Sequence, residues 1–77
     1  MNNTYNGHKN WNHWNVSLWI NNDEGLYREA KRWIARNSNR IEAAEDFLES
    51  LRYMGITKTP DGAPYSVSSI RAAMVGM

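Results

Sequence analysis

Apolar residues return at helical intervals over most of this chain. Between 40 and 54, Ile41, Ala44, Leu48 and Leu51, with Phe47 and Met54 beside them, predict a helix with one buried face. Between 23 and 36, Leu26, Ala30, Trp33 and Ile34, with Tyr27 alongside, predict another. Asn22 reads as its N-cap, and Asp23 and Glu24 complement the helix dipole in its first turn. The polar run 37–39 ends that helix, and Asn39 caps the next. Gly55 stops the 40–54 helix, because glycine takes the left-handed conformation without a Cβ penalty. Turn-forming residues fill 59–64, and the hydroxyls of Ser66, Ser68 and Ser69 are placed to cap a last helix, 67–75. That helix carries Ile70, Met74 and Val67 inward and leaves Ser68, Ser69 and Arg71 at or near its exposed start.

The stretch 11–20 has two readings. As a strand, Trp14, Val16, Leu18 and Ile20 alternate with Asn15 and Ser17. As a helix, Trp11, Trp14 and Leu18 share one face and Val16, Trp19 and Ile20 the adjoining one. Periodicity alone favours the strand. A lone strand cannot satisfy its backbone hydrogen bonds in so small a domain, so the helix, 13–21, is the reading adopted. The expectation is an all-α fold, a small bundle of about four short helices with a C-terminal helix-turn-helix-like unit. A flexible segment, 1–10, precedes a single helical domain, 11–77, whose tryptophan-rich core comes mainly from the first three helices.

Seventy-seven residues make one domain with a small core, burying about 60–65% of the unfolded surface. Without cysteine there are no disulfides and no thiolate metal sites. No apolar run approaches the roughly 18 residues of a membrane span, and the first residues have neither a basic nor an apolar targeting region. A cytoplasmic protein of a bacterial host is therefore expected, in which the sequons at Asn2 and Asn15 are chance matches.

Charge adds a pattern that the net value of +1 hides. Arg28, Lys31, Arg32, Arg36 and Arg40 are interrupted by one acid, Glu29, and Glu42, Glu45, Asp46 and Glu49 follow directly. On helices these form a basic stripe and an acidic one, read either as two solvated faces that partly pair across a hairpin or as a phosphate-tracking surface. From Leu51 onward, Arg52, Lys58 and Arg71 oppose only Asp61.

Catalytic chemistry has little to work with. His8 and His13 are the only imidazoles, too few for a zinc site, and capping explains Asp23 and Glu24. No nucleophile triad or phosphate-binding glycine loop is present, so no enzyme, metal or cofactor is expected. Four tryptophans are many for one small core, and Trp11, Trp14 or Trp19 is a candidate for an interface with a partner or a second copy.

Two segments carry resemblances. Leu51-Arg52-Tyr53-Met54-Gly55-Ile56-Thr57, Thr59-Pro60-Asp61-Gly62 and Tyr65-Ser66-Val67-Ser68-Ser69-Ile70-Arg71 resemble part of the DNA-binding region of large serine recombinases. That resemblance implies DNA contact without strand exchange. Asn10-Trp11-x-x-Trp14-Asn15-Val16-x-Leu18-Trp19-Ile20-x-Asn22-Asp23-Glu24-x-Leu26-Tyr27 is similar to a signature of short bacteriophage and mobile-element proteins, which implies origin and not mechanism. The expected function is a small phage-type DNA-binding or regulatory protein. Ser68, Ser69 and Arg71 would face the major groove, Ser66, Lys58 and Arg52 would hold phosphates, and a dimer would read two half-sites. The rival is a phage protein that inhibits or redirects a host protein through exposed aromatics and the acidic face at 42–49.

Overall fold

Four helices form in the order expected. The computed structural model describes residues 8–77, in which α1 is Trp11–Asn22, α2 Glu24–Arg36, α3 Arg40–Tyr53 and α4 Val67–Ala73. The expected flexible segment, 1–10, falls mostly outside the described residues. Of its members, Asn10 caps α1, its side chain accepting from the His13 backbone N–H at 3.0 Å.

Each helix starts on a side-chain acceptor that satisfies an otherwise orphaned N–H. Asn39 accepts from Glu42 N at 2.9 Å, as expected. Asp23, not Asn22, caps α2, accepting from Leu26 N at 2.9 Å. Asn22 instead remains the last residue of α1, its amide bonded back to the Leu18 carbonyl at 2.7 Å. At the end of α3, Gly55 N donates to Arg52 O and Ile56 N to Leu51 O, both at 2.9 Å, with Gly55 at φ 78°. This paired closure requires the left-handed conformation that glycine adopts freely.

The bundle is an α2–α3 hairpin on which α1 and α4 pack, with α1 against both α2 and α4. Its core is mostly aliphatic: Val16 and Ile20 from α1, Ala30 from α2, Ala43, Ala44, Phe47, Leu48 and Leu51 from α3, and Ile70, Ala73 and Met74 at α4. The expected tryptophan-rich core is corrected by this arrangement. None of the four indoles is fully buried; Trp11 is exposed and Trp14, Trp19 and Trp33 sit at the rim. Closely spaced short helices favour small and aliphatic residues at their contacts, and alanines at 30, 43, 44 and 73 let them approach. The fourth helix and its preceding connector are core elements too, through Ala63, Tyr65 and Ile70. Ile41 and Met54, expected inside, lie at the ends of α3 and are half exposed or more.

Residues 54–66 join α3 to α4. This connector is longer than the 3–4-residue turn of a DNA-binding helix-turn-helix. It folds back as a small antiparallel loop in which Lys58 bridges Pro64, Thr59 N donates to Ala63 O at 2.8 Å and Tyr65 N to Thr57 O at 3.0 Å.

Candidate functional site

The tip of that loop is tied to α1. Asn15 and Trp19, one helical turn apart, point the same way from the helix. Asn15 Nδ2 and Trp19 Nε1 both donate to Asp61 Oδ2 at 2.9 Å. Thr59 Oγ1 donates to Asn15 Oδ1 at 2.6 Å and accepts from Ala63 N at 3.0 Å. These bonds hold the Asp61 carboxyl below the usual carboxylate range, with Asn15 the larger cause and Trp19 the second. Thus the two segments that carry separate sequence signatures meet each other. Sequence reasoning missed this network; the only available signal was an asparagine set among the apolar positions of 14–20.

Pinning the loop shapes an open groove of about 950 Å³ between the start of α2, the end of α3 and the connector. Its apolar lining comes from Trp19, Leu26, Met54, Ile56, Pro60 and Tyr65. Arg28, Arg32 and Lys58 line it too, as do the carboxylates Asp23 and Glu29. Asp23 is engaged as the α2 cap, and Glu29 pairs with Arg32 at 3.3 Å. Among the described residues, Arg28 and Lys58 form no ion pair. Met54 is 57% exposed, a large apolar side chain held open to solvent by the helix closure at Gly55. Burial raises the Tyr65 phenol, with the Asp23 charge adding to it, so Tyr65 presents a neutral ring.

A second, smaller groove of about 590 Å³ lies between α1 and α4. Lys9, His8, His13, Ser68 and Arg71 line it, with no carboxylate among the lining residues. Ser68 Oγ lies 3.0 Å from His13 Nε2. Burial lowers the His13 imidazole below its ordinary value, and Lys9 and His8 lower it further, so at neutral pH the ring is uncharged. Which of the two atoms donates follows from the imidazole tautomer.

The expected DNA-contacting residues are divided between these places. Ser68 and Arg71 share the second groove and Lys58 lines the first. Arg52 is exposed on the last turn of α3. Ser66 is exposed but occupied: it caps α4, its Oγ accepting from Ser69 N at 3.1 Å. Ser69 is the correction. It is buried, and its Oγ accepts from Ser66 N at 3.0 Å, closing a capping box, so it cannot face a groove of DNA. Of the expected partner surface, Trp11 is exposed, Trp14 is half-buried, and Trp19 spends its indole N–H on Asp61 while its ring lines the large groove.

Charges on the α2–α3 hairpin do not pair across it. Among the described residues the ion pair is Arg32–Glu29, within α2. Arg32 and Arg36 instead lie over the Trp33 ring, 5.5 and 5.6 Å from its centroid, and Lys31 lies 5.8 Å from that of Tyr27. No group of three or more metal-ligating side chains occurs among the described residues. No described helix is long and apolar enough to cross a membrane.

The fold defines a small four-helix protein of the all-α class, with an open groove of apolar and charged lining between α2, α3 and the connector. The chain belongs to the family of unknown function DUF7249, whose family model matches residues 1–77. No curated protein and no solved structure gives a significant match.

Proposed function

We propose that this protein is a non-enzymatic interaction module of phage type, which docks an acidic, apolar segment of a host protein into the groove between α2, α3 and the connector. The observation that carries this reading is the exposure of Met54 and Ile56 on a groove lined by three cations and two carboxylates, where, among the described residues, Arg28 and Lys58 have no ion-pair partner and Asp23 is held as the α2 cap. Apolar side chains of a partner would bury against the floor, and its carboxylates would meet those cations. Methionine suits such a surface, because its flexible thioether adapts to a partner's shape.

The test is a titration of isotopically labelled protein with two helical peptides, one of leucine and glutamate and one of leucine and lysine. Saturable shifts at Met54 and Ile56 with the acidic peptide only, lost in Met54→Asp, support the reading. No shift with either peptide overturns it.

DNA binding is the second reading, favoured by the α1–α4 groove, where Lys9 and Arg71 meet no carboxylate. Only Ser68 and Arg71 of the expected contact set belong to it. Binding to duplex DNA that weakens steeply with salt and is abolished by Arg71→Glu would support it. Indifference to Arg71→Glu would remove it.

A further inference from the structure

We infer that the outer face of the α2–α3 hairpin is a self-association surface that takes a second copy of this chain about a two-fold axis running along the hairpin. This surface borders the proposed docking groove, sharing Arg32 and Ser50 with its edge but none of its apolar lining.

A hollow of about 370 Å³ lies between α2 and α3, lined by Trp33, Asp46, Glu49, Ser50 and Tyr53. Its α2 side is positive, since Arg32 and Arg36 stack on the Trp33 ring. Its α3 side is negative, through Asp46 and Glu49. Between them is aromatic surface, and Tyr53 is 92% exposed at its edge. Within one chain these opposite charges form no ion pair across the hairpin.

A surface that is positive on one side of a line and negative on the other is complementary to itself under only some rotations. A two-fold axis across the helices would lay α2 on the partner's α2, cation against cation. An axis parallel to the helices lays each α2 on the partner's α3, so both halves of the contact pair opposite charges. The aromatic midlines then meet each other, and the acidic 42–49 face finds its counterpart in the basic stripe.

Size sets the strength. Helices of 13 and 14 residues are about 20 Å long, and two side by side span about 20 Å, so each copy contributes about 400 Å². The total of about 800 Å² is below that of standard stable interfaces and belongs to a weak, reversible dimer. Its charge pairs are rim-exposed, so salt weakens it.

The experiment is sedimentation velocity from micromolar to millimolar protein, at low and high salt, with helicity followed by circular dichroism. Wild type is expected to dimerise reversibly at the upper end, with an affinity that falls several-fold as salt rises. Arg32→Glu with Arg36→Glu is expected to be monomeric, as is Asp46→Lys with Glu49→Lys. The chain carrying all four substitutions has its charges exchanged between the helices and is expected to dimerise again. All four side chains are on the surface or paired only locally, so the variants keep their helicity. A wild type that stays monomeric at millimolar concentration and low salt overturns the inference. So does a dimer that the charge reversals leave intact, or a four-fold variant that is not rescued.

Discussion

Thr59 and Asn15, separated by 44 positions in the chain, share a 2.6 Å hydrogen bond inside the protein, and both side chains are buried. Replacing Asn15 by leucine leaves the Thr59 hydroxyl without its acceptor and Asp61 without one of its donors. Asn15→Leu is expected to lower stability by about 2 kcal/mol in urea denaturation. Thr59→Val alone is also destabilising, and the double substitution is expected to cost less than the sum of the two single ones.

Asp61 gives the protein an acid-sensitive contact. Its folded pKa lies below the ordinary carboxylate value, held there by Asn15 first and Trp19 second. Between the folded and unfolded values the unfolded chain binds the proton and the native chain does not, so stability rises with pH across that interval. The contribution is complete above the ordinary carboxylate value of about 4 and is lost as pH falls through the folded value. Asp61→Asn is expected to flatten the acid limb of stability against pH. Tryptophan fluorescence checks it, because the variant also changes the partner of the Trp19 indole N–H.

The seven-residue α4 depends on its cap, being too short to persist without tertiary contacts. Ser66→Ala removes the acceptor of Ser69 N, with an expected cost of about 1 kcal/mol in stability. Hydrogen exchange should quicken first in α4 and leave the α2–α3 hairpin protected. Uniform loss of protection would show that α4 and the hairpin unfold as one unit.

Gly55 tests backbone strain in isolation. A Cβ built there meets nothing within 4 Å, yet φ is +78°. Gly55→Ala is therefore expected to cost about 1–2 kcal/mol with no packing defect, and thermal melting at unchanged helicity measures it. Gly62, at φ +97° with the same open space, is expected to behave alike.

Helix limits were readable because their causes are local. The Asn39 cap, the Gly55 closure and the Ser66 box each act within a few residues, and each is written in adjacent positions of the chain. The same locality explains the near miss at Asn22 and Asp23, neighbours of equal capping chemistry, where only the bend between α1 and α2 chose the aspartate. The candidate site was less readable. Arg71 and Ser68, neighbours on the expected contact face, line one groove, but Lys58 belongs to another and Ser69 to the interior. Spacing on a helix says which residues share a face; it does not say which face a neighbouring helix covers.

By itself, the sequence determined the class and the limits of the middle helices to within a residue, since capping and glycine closure are properties of short segments; α1 starts two residues before its expected limit and α4 ends two residues before its own. Tertiary structure alone decided the fate of the tryptophans, the burial of Asn15 and the anchoring of the connector. The physical reason lies in α1, which carries apolar residues around most of its circumference, so its period selects no single inward face. Which side packs on α4 is settled by residues far along the chain, and the hydrogen bonds of Thr59 and Asp61 make Asn15 a satisfied interior residue.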